Sequence, residues 1–261
     1  MAQREALGQV LVIIPTDNEV ANLENVLTRL WAHSPEVDAL VVDDNSPDGT
    51  GALADRLAAA NDHLHVLHRP VKAGFATAYL DGFNWGLDRG YGVLVEMEAD
   101  GSYRPEDLPM LAERLETADM VKGSRWVRGG SVVNLDRRRE LLARAGNLWI
   151  QLVMNMPAHD ATGGFNLYRA SVLRRVDLSE IHSRGYTFRL DLIRRVLEVG
   201  GTIVEVPVEF LERESGGSKL EADNVLDAVK KTTRWGWARR SAQLRGFVEK
   251  VTRAKAGRPP Q

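Results

Sequence analysis

The chain has 261 residues, of which 44% are apolar and 27% charged, a balance typical of a globular protein that excludes a disordered one. Its formal net charge of -2 at pH 7 argues against a general nucleic-acid-binding protein, which is expected to be basic. There are no cysteines, so disulfides, thiolate metal sites and cysteine nucleophiles are excluded.

Strand and helix patterns alternate along the first half of the chain. Short β-branched runs predict strands at Gln9–Pro15, Val37–Val42, His63–His68, Gly92–Met97 and Asp119–Lys122. Apolar residues at helical spacing predict helices at Asn18–His33, Gly51–Ala60, Phe75–Arg89 and Pro105–Glu116, the first capped by Thr16 or Asn18. This alternation predicts an α/β fold with a mostly parallel sheet and helices on both faces.

The second half is less regular. Helices are predicted at Arg137–Met156, Ser171–Arg175 and Tyr186–Val199, a loop at Asp160–Phe165 and a strand at Thr202–Val208. From Val225 onward the sequence is helical and increasingly basic. We therefore expect a main domain over residues 9–222, a helical basic segment over 223–253 and a disordered tail over 254–261.

The sequence has no run of about 18 apolar residues, the length that crosses a bilayer as a helix. Residues Met1–Gln9 have no long apolar core, so we expect no signal peptide and a cytoplasmic location.

Polar clusters follow three predicted strands, at Thr16–Glu19, Asp43–Thr50 and Glu98–Ser102. Ligands of parallel α/β sheets bind at this edge. Carboxylates such as Glu98 and Asp100 can hold a hard divalent cation and leave coordination positions for a diphosphate. The alternative is that these acids only form turns and helix caps.

Four basic residues lie in loops or at helix starts: Arg125, Arg139, Arg213 and Lys219. Each alone is typical of a solvated surface charge. Together they would neutralise a sugar nucleotide and a second phosphate, since the planar guanidinium suits phosphate oxygens.

Seven segments together resemble the dolichyl-phosphate (polyprenyl-phosphate) mannose synthases, glycosyltransferases of family 2 with the GT-A fold. The resemblance covers about residues 9–237 and depends on the order and spacing of Ile13–Leu23, Val41–Thr50, Lys72–Phe83, Glu96–Pro109, Lys122–Gly130, Asp160–Arg169 and Phe210–Leu220. It implies transfer of mannose from GDP-mannose to a polyprenyl phosphate, with inversion at the anomeric carbon and with Mg²⁺ or Mn²⁺ as cofactor. It also implies a peripheral enzyme on the cytoplasmic face of a membrane, with or without a separate membrane-anchoring protein, and no nucleic acid.

The resemblance assigns roles to individual residues. The expected donor-binding residues are Pro15, Asp17, Glu19, Val42, Asp44, Glu98, Ala99, Asp100, Ser102, Arg213 and Lys219. The expected metal ligands are Asp100, Glu98 and Ser102, with Asp100 leading. The expected catalytic residues are Asp100, Arg125 and Arg139, and the two arginines would face the acceptor phosphate.

Three positions depart from the family's pattern: Asp17 stands where tyrosine is typical, Glu98 where aspartate is typical, and Ala143 where serine is expected. Two alternatives therefore stay open. One is the same transfer from UDP-glucose or another nucleotide sugar. The other is a non-catalytic relative that binds a nucleotide sugar without turning it over. A nucleotidyltransferase is disfavoured, because it would need a glycine- and lysine-rich phosphate loop where this chain has the acidic Pro15–Glu19.

Two helices are expected to lie on the membrane. In the C-terminal segment, one face carries Trp237, Leu244, Val248 and Val251, and the basic residues Arg239, Lys250 and Arg253 point largely the other way. The other helix is Leu141–Val153, which follows Arg137–Arg139. Such helices can lie in the headgroup region of anionic lipids. The alternative is ordinary amphipathic packing on the sheet.

Overall fold

A seven-stranded sheet forms the centre of the protein in the computed structural model, which describes residues 7–183, 185–212 and 230–237. The strands are β1 Val10–Thr16, β2 Asp38–Asp43, β3 Leu64–His68, β4 Val93–Glu96, β5 Met120–Ser124, β6 Ser131–Val133, β7 Asn166–Arg169, β8 Ile203–Pro207 and β9 Glu209–Leu211. The order in the main sheet is β3-β2-β1-β4-β7-β5-β8, and β6 pairs with β9 in a separate parallel ribbon. Among the strand pairs of the described residues, only β4–β7 and β5–β7 are antiparallel. The predicted α/β class with a mostly parallel sheet is confirmed.

Helices cover both faces of the sheet. They are α1 Leu23–His33, α2 Thr50–Ala58, α3 Phe75–Asp88, α4 Leu108–Arg114, α5 Arg137–Met154, α6 Ala170–Leu173 and α7 Tyr186–Glu198, with 3-10 turns at Pro105–Asp107 and Leu178–Glu180. A further helical stretch lies at 230–237. One apolar core holds residues of α3, α5, α6 and α7, and the other holds residues of α1, α2 and α4. No helix of the described residues is long and apolar enough to span a bilayer.

Helix α3 packs closely on the sheet because two of its residues that face the sheet are glycines. A Cβ added at Gly82 would lie 2.5 Å from Ile13 Cγ2, and one added at Gly86 would lie 2.4 Å from Leu94 Cδ2. The two glycines therefore set the distance between α3 and strands β1 and β4.

The start of α1 differs from its prediction. The helix begins at Leu23, whereas Asn18 has a left-handed backbone (φ 63°) and Thr16 belongs to β1, so neither caps the helix. The carbonyl of Glu19 accepts from the backbone N–H groups of Asn22 and Leu23, both at 3.0 Å, which closes a turn instead. The polar residues after β1 thus form a loop at the edge of the sheet.

The sequence pattern does not predict strand β7, whose residues directly follow the predicted loop. It has only Leu167 and Tyr168 between the polar residues Asn166 and Arg169, which is too short for a clear pattern. Pairing on both sides, with β4 and β5, supplies the stabilisation that local sequence does not. The short strands β6 and β9 were missed for the same reason.

Candidate active site

The carboxyl ends of four strands bring polar side chains to one edge of the sheet. Thr16 at the end of β1 donates to Asp43 at the end of β2, with 3.1 Å between Oγ1 and Oδ1. Glu96 ends β4 and Ser124 ends β5, and both are fully buried. Because the ligands of such sheets bind at this edge, it is the candidate active site.

Three of the expected donor-binding residues, Pro15, Val42 and Glu19, lie on β1, on β2 and in the loop after β1. Pro15 and Val42 are opposite each other in the β1–β2 pair. Glu19 is fixed at both its backbone and its side chain: its N–H donates to Thr50 Oγ1 (2.9 Å) and its Oε2 accepts from Asn22 Nδ2 (2.8 Å). These contacts give this side of the site a defined shape.

Asp17 forms an ion pair with Lys72, which lies in the segment before α3. The lysine Nζ is 2.6 Å from one carboxylate oxygen of Asp17 and 2.8 Å from the other. The aspartate that stands where tyrosine is typical of the family therefore has a cationic partner in this chain. Its charge is neutralised locally and does not simply oppose an incoming diphosphate.

Asp44 organises the loop that leads into α3. Its carboxylate accepts from Arg69 Nη1 (2.6 Å) and from the backbone N–H groups of Ala73 (3.1 Å) and Gly74 (2.7 Å). Arg69 also pairs with Asp81 through Nε at 2.9 Å. Asp44 thus fixes the segment that carries Lys72 toward Asp17.

The residues expected to hold a metal follow β4. Glu98 Oε1 accepts from Arg189 Nη2 at 2.8 Å, and 31% of the Glu98 side chain is exposed. Asp100 Oδ1 accepts from the backbone N–H of Ser102 at 2.9 Å. Ala99 and Ser102 are buried. The structure therefore places these four residues in one turn beyond the strand.

Glu98 and Asp100 fit a hard divalent cation because carboxylate oxygens are the ligands such ions prefer. In the part of the chain that the structure describes, no group of three or more His, Cys, Asp or Glu side chains is arranged to hold a metal. A cation bound here would complete its coordination with substrate oxygens. This donor set therefore suits a cation that is shared with a diphosphate.

Arg125 is locked by the loop that precedes β7. Its Nε and Nη2 donate to the two carboxylate oxygens of Asp160 at 2.7 and 2.8 Å, and Nη2 also donates to Thr162 Oγ1 at 3.0 Å. Burial opposes the charge on Arg125, but Tyr103 and Asp160 raise the pKa of the guanidinium above its usual value. Burial likewise opposes a charged Asp160, yet Arg125 holds the pKa of that carboxyl below its usual range.

Arg139 lies in the first turn of α5 and pairs with Glu212. It is more exposed than Arg125, with 41% against 12% of the side chain accessible. Ala143, one turn further along α5, is half-buried. Arg213 and Lys219 lie outside the described residues.

Sequence reasoning missed a buried charged network beneath Glu98. Arg189 on α7 also donates from Nε to Glu96 Oε2 (3.1 Å), and Tyr168 donates to Glu96 Oε1 (2.6 Å). Lys122 is fully buried and donates to Asn166 Oδ1. A lysine inside the apolar strand β5 was the signal that could have indicated this network, since an unpaired buried charge is costly.

The model of the family described as "Glycosyl transferase family 2" matches residues 11–177. An undecaprenyl-phosphate mannosyltransferase of Micrococcus luteus is 50% identical over 237 residues, covering 91% of this chain and 98% of that protein. A polyprenol monophosphomannose synthase of Mycolicibacterium smegmatis is 48% identical over 242 residues, covering 92% of this chain and 91% of that protein.

Two solved structures share the fold at low sequence identity. Mannosyl-3-phosphoglycerate synthase from Rubrobacter xylanophilus is 20% identical with a TM-score of 0.61, covering 90% of this chain and 74% of that one. A Pyrobaculum calidifontis mannosyltransferase, solved with GDP-Man and Mn²⁺, is 16% identical with a TM-score of 0.51, covering 97% of this chain and 81% of that one. With a family model matching more than half of its length and relatives at about half identity, the chain is a glycosyltransferase that belongs to family 2 and has the GT-A fold.

Proposed function

We propose that this glycosyltransferase moves mannose from GDP-mannose to a polyprenyl phosphate, giving polyprenyl-phosphate mannose and GDP. The observation that carries the proposal is the similarity, at 50% and 48% identity over more than nine tenths of the chain, to two proteins named for this type of transfer. The candidate site is compatible with it, because carboxylates and arginines meet at the edge of the sheet where a sugar nucleotide would bind.

The reaction needs little general acid–base catalysis from the protein. A polyprenyl phosphate is an anion at neutral pH, so its oxygen needs no strong base to become a nucleophile. One direct displacement inverts the anomeric carbon and expels GDP. The protein's task is to align the two substrates and to stabilise the charge on the departing diphosphate.

Glu98, Asp100 and Ser102 would hold the cation, Mg²⁺ or Mn²⁺, with Asp100 as the principal ligand. The bound cation supplies Lewis-acid stabilisation of the diphosphate leaving group. Ala99 would lie against the diphosphate, and Pro15, Asp17, Glu19, Val42 and Asp44 would form the nucleoside wall. Arg213 and Lys219 would close over the phosphates. The GDP-Man and Mn²⁺ bound to the Pyrobaculum calidifontis mannosyltransferase support a donor and a cation of this kind.

Arg125 and Arg139 would face the acceptor phosphate in different ways. Arg125 is held rigidly by Asp160, so it would offer a fixed positive charge. Arg139 is more exposed and pairs only with Glu212 among the ion pairs found in the described residues, so it could exchange that partner for phosphate. We therefore assign direct contact with the acceptor phosphate to Arg139 in preference to Arg125.

The acceptor also requires a membrane surface, because a polyprenyl chain stays in the bilayer. Helix α5 presents large apolar side chains to solvent: Leu141, Leu142, Leu148, Trp149 and Leu152. Arg137 and Arg138 at its start are exposed as well. An apolar face beside basic residues suits peripheral binding to anionic lipids, here on the cytoplasmic face. A separate membrane-anchoring protein would be needed only if this surface proved insufficient.

The test is transfer of label into lipid. Purified protein, a polyprenyl phosphate and Mn²⁺ are incubated with labelled GDP-mannose or labelled UDP-glucose, and the lipid is extracted into organic solvent. We expect label in the lipid from GDP-mannose and little from UDP-glucose. Preferential transfer of glucose would favour the alternative donor. Nucleotide binding without any labelled lipid would favour a non-catalytic relative.

A further inference from the structure

Arg189 on α7 lies between two carboxylates of the sheet edge. Its Nη2 donates to Glu98 Oε1 at 2.8 Å, and its Nε donates to Glu96 Oε2 at 3.1 Å. Only 2% of its side chain is exposed. A buried arginine needs such partners, because an uncompensated buried charge is strongly destabilising. Burial opposes the charge here, but Glu98 and Glu96 raise the pKa of Arg189 well above its usual value.

The surroundings leave this guanidinium little freedom. Its Cζ lies 5.2 Å from the ring centroid of Phe75 and 5.9 Å from that of Tyr79, so two aromatic rings of α3 lie near it. Gly164 also lies against this pair of side chains. A Cβ at that position would lie 2.5 Å from Glu98 Oε1 and 2.8 Å from Arg189 Nη2. The glycine therefore makes room for the Glu98–Arg189 pair.

Of the two carboxylates, Glu96 is the fixed one. It is fully buried, and it accepts from Tyr168 (2.6 Å) and Asn166 (3.3 Å) as well as from Arg189. Glu98 is different, because 31% of its side chain is exposed at the candidate cation site. Arg189 thus links a rigid buried acid to an acid that can meet a ligand.

We propose that Arg189 is a positioning residue that holds Glu98 by one carboxylate oxygen and so sets the affinity of the site for the divalent cation that accompanies the nucleotide. This inference rests on the proposed function. The extra methylene of Glu98, compared with the aspartate typical of the family, gives the carboxylate the reach to meet Arg189. Hydrogen-bonded partners of metal-binding side chains commonly change metal affinity by about 10- to 100-fold when they are removed.

The experiment measures GDP binding by calorimetry as a function of Mn²⁺ concentration, without lipid. In Arg189→Gln we expect the Mn²⁺ concentration for half-maximal GDP binding to rise about tenfold, because Glu98 loses its anchor. In a Glu98→Gln background, Arg189→Gln should shift this Mn²⁺ concentration less than twofold. Arg194→Gln is the matched control, an arginine of the same helix that pairs with Asp191 and Glu198, and it should leave the Mn²⁺ dependence unchanged.

A thermal unfolding midpoint is recorded for each variant, and Arg189→Lys replaces Arg189→Gln if the latter does not fold. Lysine keeps the charge but lacks the planar fork, so we expect a smaller rise in the Mn²⁺ requirement. An equal rise in the wild-type and Glu98→Gln backgrounds, or no rise in either, would overturn the inference alone. A wild-type protein that binds no GDP at any Mn²⁺ concentration would contradict the proposed donor and this inference together.

Discussion

Charged side chains at the sheet edge neutralise one another in pairs: Asp17 with Lys72, Asp160 with Arg125, and Glu98 with Arg189. The two acidic departures from the family's pattern, at positions 17 and 98, each come with a cationic partner. Asp17 adds a negative charge that Lys72 offsets, and Glu98 keeps the charge of the aspartate it replaces while contacting Arg189. These local pairings disfavour the interpretation of the two substitutions as decay toward a non-catalytic relative.

Asp100→Ala tests the leading metal ligand. We expect transfer to fall about a thousandfold, because the cation contributes several kcal/mol of charge stabilisation to the leaving diphosphate. The thermal unfolding midpoint should change little, since Asp100 lies in a turn and not in the core. The matched control is Asp88→Ala at the exposed end of α3, which should retain transfer. Near-normal activity of Asp100→Ala with an unchanged metal requirement would remove the assignment.

Lys122 gives the stability a specific pH dependence. Burial lowers the pKa of its ammonium from 10.5 to about 8, against the opposing effect of Asp160. Between these values the unfolded chain binds more protons than the folded one, so the Lys122 contribution to the unfolding free energy rises with pH, by about 3 kcal/mol in all. We expect wild type to gain stability over Lys122→Met between pH 8 and 10.5 in denaturant titrations. A constant difference across that window would contradict the lowered pKa.

At the scale of elements, the close approach of α3 to the sheet positions the start of that helix at the site. Gly86→Ala would force its methyl group against Leu94 and Leu11, and we expect a loss of about 1–3 kcal/mol from overpacking. Gly146→Ala is the matched control on α5, where a methyl group meets nothing within 4 Å. It should stabilise by about 0.5–1 kcal/mol because glycine weakens a helix interior. Chemical denaturation measures both changes, and equal effects would contradict the packing argument.

The elements with continuous apolar runs or regular helical spacing were predictable from the sequence, whereas the short strands β6, β7 and β9 were not. Strands such as β1 and β2 have continuous apolar runs, and their bounds differ from the prediction by one residue at each end. Strand β7 depends on pairing with β4 and β5, which no local pattern encodes.

For the site, the acids after β1, β2 and β4 were predictable because they follow strand ends. Arg189 was not, because it lies in a regular helix 91 residues from Glu98 in sequence.

At the scale of the whole molecule, the apolar face of α5 should direct membrane binding. We expect the protein to co-sediment with anionic liposomes at low salt, and Leu141→Ser combined with Leu148→Ser to reduce this severalfold. Val71→Ser, which removes an exposed apolar side chain elsewhere (69% exposed), is the control.

Deletion from residue 237 onward should also weaken binding. Trp237 is 75% exposed, whereas the other residues of the predicted C-terminal face lie outside the described ones.

If the full-length protein fails to co-sediment at low salt, membrane recruitment must come from a separate anchoring protein. If binding is strong but equal in wild type and the α5 variant, another surface carries it.

The central claim is that one molecule of GDP is released for each mannosyl lipid formed. The most direct measurement quantifies GDP and polyprenyl-phosphate mannose together, in reactions of the purified protein with GDP-mannose, a polyprenyl phosphate and Mn²⁺. We predict equal amounts of the two products, formed only when both substrates are present, and neither product from Asp100→Ala. Release of GDP without mannosyl lipid, or no turnover of GDP-mannose at all, would contradict the account.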